Sequence, residues 1–208
     1  MNPKASKHLS KVDKTLARVI RKVGPVRVTP PKGVTPYQTL VQAVAHQQLS
    51  GKAAKTILGR VLALFPGKKF PAPLDLVKAP VRKLRKAGFS RAKVAAVKDI
   101  AVKTLSGVVP TSRALAKMGD EEIIERLIEV RGVGRWTVEM LLMFTLGRPD
   151  VLPATDYGVR KGFALVYRRK ELPAPKELLA FGERWRPHRS AAAWYLWRAC
   201  DLHKAKSK

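Results

Sequence analysis

The chain has 208 residues, a length that fits one domain or one compact domain of two lobes, and 46% of them are hydrophobic, which excludes wholesale disorder. Its 42 Lys and Arg stand against 15 Asp and Glu, a formal charge of +27. That excess points to a polyanionic partner, nucleic acid ahead of an anionic membrane surface.

The single cysteine, Cys200, excludes an intrachain disulfide, a four-cysteine cluster and a cysteine-built zinc site. The first 25 residues hold no uninterrupted apolar core of a secretory signal. The richest apolar stretch, Met140 to Leu146, falls far short of the ~18 residues of a membrane span. The expectation is a soluble intracellular protein, cytoplasmic and nucleoid-associated, or nuclear in a eukaryote.

In chain order, a helix is predicted near 8–20, where Leu9, Val12, Leu16, Val19 and Ile20 recur at helical spacing. Lys4, Lys7, Lys11, Lys14, Arg18 and Arg21 fall on another stripe, which reads equally as a solvated face or a phosphate contact. Gly24-Pro25 ends the helix. Thr35, Pro36 and Gln38 form a capping-box start for a helix whose buried face is Leu40, Val41, Val44 and Ala45. Gly51 separates it from a helix over 52–64. Further helices are predicted near 73–87, 90–105, 111–118, 120–130, 134–146, 156–168, 175–184 and 189–203, with Pro and Gly mostly between them and no strand of any length. The fold class is all-α.

The segment "RGVGRW", Arg131 to Trp136, joins two amphipathic helices by Gly-Val-Gly. Gly132 suits a positive φ in a tight turn, and Gly134 lets the backbone approach a partner closely. The amides opening the second helix would favour a phosphate, with Arg131 and Arg135 beside it. An ordinary glycine-capped αα-hairpin explains the spacing as well.

Downstream, "LPATDYGVRKGF" begins 18 residues after Gly134. With "AVAHQQLSGKAA" before the hairpin and "ERWRPHRSAAAWYLW" near the end, the order resembles the helix–hairpin–helix DNA glycosylases, in particular the 3-methyladenine DNA glycosylase II branch. The resemblance runs from about Thr35 onward and implies two helical lobes with the DNA-binding cleft between them. One lobe would combine 1–49 with 150–208, and the other, 50–149, would carry the hairpin. The extra N-terminal domain of larger bacterial relatives is not expected in a chain of this length.

The resemblance implies a monofunctional enzyme that flips out and excises alkylated purines in base excision repair. Asp156 would be the catalytic carboxylate, stabilising positive charge on the sugar, although an Asp at a helix start also reads as an N-cap. Trp136, Trp197, Tyr157 and Met140 would line the base pocket, with core packing as the alternative for each Trp. Met140 replaces an aromatic of the bacterial enzyme. Trp136 stands where the endonuclease III-like branch has its Schiff-base lysine, so no lyase nucleophile is offered there. Lys161 could serve a lyase but has no motif behind it.

Gln48 or Leu49 would fill the gap left by the flipped base, unless Leu49 is core and Gln48 a cap. Arg189 would reach Asp156 or a phosphate. No organic cofactor is expected. A monovalent cation on the hairpin carbonyls stays open, since Arg131 replaces the usual proline. The expected partner is double-stranded DNA containing alkylated bases, bound by a monomer, with no membrane. The competing readings are a non-catalytic helix–hairpin–helix DNA-binding protein and a glycosylase for other lesions.

Overall fold

The computed structural model describes residues 1–206, and among them there is no strand. No helix among the described residues is long and apolar enough to cross a membrane. The chain divides into two units, Met1–Pro30 with the segment from Leu142 onward, and Pro31–Leu141.

The first unit opens with α1 (Pro3–Val12) and α2 (Lys14–Val23), where the sequence predicts one helix near 8–20. Asp13 makes the break. It leaves helical geometry (φ −141°, ψ 97°) and its carboxylate caps the amides of Thr15 and Leu16. The same carboxylate, 6% exposed, accepts from Tyr167 Oη at 2.5 Å and Trp185 Nε1 at 2.9 Å. An acid buried this deeply is tolerated because every donor it meets is aimed at it.

The rest of this unit is α11 (Tyr157–Val166), α12 (Pro175–Gly182) and α13 (Arg189–Lys206). Phe163, Tyr167, Phe181 and Trp185 form its aromatic core. Fully burying one such ring stabilises the fold by roughly 2–3 kcal/mol. Gly158 and Gly162 face α13. A Cβ on Gly162 would lie 2.0 Å from Leu196 O, so only glycine permits this approach.

The second unit contains α3 (Pro36–His46), α4 (Gly51–Leu62), α5 (Pro73–Lys78), α6 (Val81–Lys86), α7 (Arg91–Leu105), α8 (Ser112–Leu115), α9 (Asp120–Leu127) and α10 (Arg135–Met140). The capping box on Thr35 and Gln38 is present. The single helix predicted over 73–87 is two, because Pro80 holds Ala79 extended (ψ 127°). The helix after the hairpin changes to π geometry over Leu141–Thr145.

The unit boundaries differ from the lobes read from the sequence. Residues 31–49 sit with the hairpin because α3 packs on α4 and α7. Residues 142–149 join the chain ends, where Ser190 donates to Arg148 O at 2.7 Å and, through its amide, to Pro149 O at 3.0 Å.

Candidate active site

In the first unit Asp156 is the N-cap of α11, accepting from Val159 N at 2.7 Å on Oδ1. Trp197 Nε1 donates to the same oxygen at 2.8 Å. Two N–H groups on one oxygen fix the carboxylate rotamer at a helix N-terminus, where the dipole favours an anion. The N-cap reading and the functional reading of Asp156 are therefore compatible. Gly158 makes room for the arrangement, since a Cβ there would stand 2.8 Å from Trp197 Cδ1 and 3.1 Å from Asp156 Oδ1.

Trp197 is half-buried rather than a core residue, and its ring lies 6.0 Å from Phe144. Tyr157 is 63% exposed, with Lys161 Nζ 5.9 Å from its ring centre. Cys200 Sγ sits 3.4 Å from Gly158 O, and burial pushes its thiol pKa up.

In the second unit the turn before α10 behaves as its glycines require. Gly132 has φ +78°, and a Cβ on it would stand 2.9 Å from Ala96 Cβ. Gly134 is the N-cap of α10, with open space where a Cβ would be and no side-chain cap on the amides that follow. The turn is braced from outside by Asp99 Oδ2, which accepts from Arg131 N at 2.7 Å, and by Gln47 Nε2, which donates to Gly132 O at 2.9 Å. Arg131 is exposed. Arg135 is held at 2.6 Å by Glu121 and at 3.3 Å by Glu139, and the Glu121 hydrogen bond leads the causes that raise its pKa.

Trp136 is 46% exposed, which removes the core-packing reading for it. It lines a hollow of about 400 Å³ with Met140, Gln48, Gln47 and His46. Gln48 carries φ +56°, uncommon outside glycine, and Leu49 is 39% exposed, so neither is core. The cap of α4 is Ser50, not Gln48.

Arg189 is a correction. Its guanidinium meets Asp150 at 3.0 Å and Glu183 at 3.2 Å, and its side chain is only 13% exposed. It clamps the chain before α11 to the start of α13, and its donors are spent on those acids rather than on Asp156 or a phosphate. Asp150, Gly158 and Gly162 escape the sequence reading; the four-residue glycine spacing in "YGVRKG" was the available signal.

A glycine-turned helical hairpin followed in the chain by a capped aspartate at the start of α11 is the order on which the resemblance to base-excision DNA repair proteins rests. Residues 41–187 match the HhH-GPD superfamily of base excision DNA repair proteins, and the chain belongs to that family. It is 40% identical to DNA-3-methyladenine glycosylase 1 of Schizosaccharomyces pombe over 202 residues, 96% of this chain and 88% of that protein. The structure of a 3-methyladenine DNA glycosylase from the same yeast, in complex with abasic DNA, matches with a TM-score of 0.83 at 40% identity over 94% of this chain and 95% of that one. A DNA-3-methyladenine glycosidase of Bacillus halodurans matches with a TM-score of 0.84 at 34% identity, over 95% and 88%.

Proposed function

We propose that this protein is a monofunctional DNA glycosylase that flips alkylated purines, of the 3-methyladenine and 7-methylguanine type, out of duplex DNA and hydrolyses their N-glycosidic bonds. The observation that carries this is the Asp156 carboxylate held by Val159 N and Trp197 Nε1. Breaking the bond sends its electron pair to the base and leaves positive charge on the sugar, which a fixed carboxylate stabilises. Water then adds to that carbon, gives up a proton, and an abasic site remains.

An alkylated purine is already cationic and leaves with little need of a general acid. Electron-poor bases stack well on aromatic faces, which suits the hollow beside Trp136. Trp136 also brings no amine to the position where a lyase would need one. The names of the yeast and Bacillus halodurans relatives support the substrate class.

The proposed partner is duplex DNA, bound by a monomer in the compartment that holds the genome. No organic cofactor enters the reaction.

The test is release of free bases from methylated duplex DNA by wild type and Asp156→Asn. Asn caps a helix as well as Asp, so the fold should hold. The variant should bind DNA yet lose about 10²–10⁴-fold in release rate. Equal rates would remove Asp156 from the chemistry. Strand breakage before alkali treatment would replace the monofunctional reading with a lyase.

A further inference from the structure

We propose that α1, α2 and the C-terminal end of α11 form a second duplex-DNA contact, which grips phosphates and reads no base. It rests on the glycosylase reading only in taking DNA as the polyanion.

Lys4, Lys7, Lys11, Lys14, Arg18 and Lys22 are all exposed. Lys4, Lys7 and Lys11 recur at three- and four-residue spacing and so share a face of α1. The one acid within these helices and their junction, Asp13, is turned inward to Tyr167 and Trp185 and neutralises none of that surface. Elsewhere in the same unit four arginines are paired with acids, Arg169 with Glu177, Arg186 and Arg189 with Asp150 and Glu183, and Arg198 with Asp201, while Arg160 and Arg184 donate to backbone carbonyls.

Arg168 supplies the independent observation. It follows α11 at φ +54°, and the Arg169 amide reaches back to Ala164 O at 2.8 Å. This is the closing turn in which glycine is the residue of least strain. Arg168 lines one groove with Arg18, Lys22 and His203, among the apolar Leu165, Val166 and Leu202. Among the described residues, Gln48 is the other non-glycine with positive φ, and it lies in the segment assigned to the flipped-base gap. In both places a costly backbone conformation presents a polar side chain outward. The groove sits at the end of α11 opposite Asp156, about 15 Å away at 1.5 Å per residue, so it is not part of the candidate active site.

The experiment measures affinity for undamaged duplex across a salt series, alongside single-turnover release of 7-methylguanine from a short methylated duplex at saturating protein. The variants are Arg168→Gly and the combined Lys7→Gln, Lys11→Gln, Arg18→Gln, Lys22→Gln. The logarithmic salt slope should flatten by about 0.9 for each phosphate lost, hence about one for Arg168→Gly and up to about four for the combination. Base release should match wild type. Arg168→Gly should melt no lower than wild type, which separates a lost contact from a damaged fold. Unchanged slopes would overturn the proposal. Unchanged slopes with weakened binding of polyglutamate would overturn it in favour of an acidic protein partner. Flattened slopes beside a wild type that frees no base would support the contact while the glycosylase reading falls.

Discussion

Asp156 and Trp197 illustrate how one hydrogen bond joins packing to chemistry. The indole of Trp197 is half-buried against Phe144, and its N–H ends on the carboxylate proposed to act on the sugar. Hydrogen bonds to charged groups contribute about 1.5–3 kcal/mol, so losing this one affects both carboxylate orientation and stability. Trp197→Phe keeps an aromatic ring and deletes the donor. Single-turnover base release should fall about 10- to 100-fold if that energy is expressed in the transition state, with DNA binding retained. A normal rate combined with a lower melting temperature would assign Trp197 to packing alone. Arg189 behaves in the opposite way at the same scale. The sequence offers it to the site, and the fold commits it to Asp150 and Glu183.

At the scale of elements, the close packing of α11 on α13 sets that geometry. Gly162 lets the helices approach until a Cβ would lie 2.0 Å from Leu196 O, and Leu196 precedes Trp197. Backbone against backbone has no rotamer to yield, so Gly162→Ala should destabilise by about 3 kcal/mol or more. It should also slow base release at temperatures where the variant is still folded, because the helices must separate just where Trp197 reaches Asp156. A variant that melts lower yet releases base normally would show that the two are uncoupled. The glycine spacing was visible in "YGVRKG", but nothing in the sequence names the surface it meets. The hairpin was legible for the converse reason: its glycine requirement is local, and φ +78° at Gly132 meets it. The capping box on Thr35 was legible on the same ground. The break at Asp13 was not, since the partners that stabilise a buried carboxylate, Tyr167 and Trp185, lie 154 and 172 residues away. Pro80 could have been read, because proline constrains its predecessor whatever the tertiary context.

For the whole molecule, the +27 charge and the buried tyrosines make stability depend on alkaline pH in a calculable direction. Burial pushes the hydroxyl pKa of Tyr37, Tyr167 and Tyr195 up, and at Tyr167 the hydrogen bond to Asp13 adds to it. A raised pKa means the folded chain keeps a proton that the unfolded chain releases above about pH 10. The stability involved is therefore fully present below that pH and is lost as pH rises toward the folded value, by up to about 1.4 kcal/mol per unit for each tyrosine. Lysines lose charge over the same range and relieve self-repulsion, which works the other way. Comparing wild type with Tyr167→Phe cancels the lysine contribution, because it is common to both. The variant should be less stable at neutral pH, where Asp13 lacks one donor. The gap between the two, measured by urea unfolding, should then close as pH rises past about 10, since only wild type has a phenol at 167 to ionise on unfolding. A constant gap would mean that Tyr167 ionises as readily in the folded chain as in the unfolded one, and that its bond to Asp13 does not hold the proton in place.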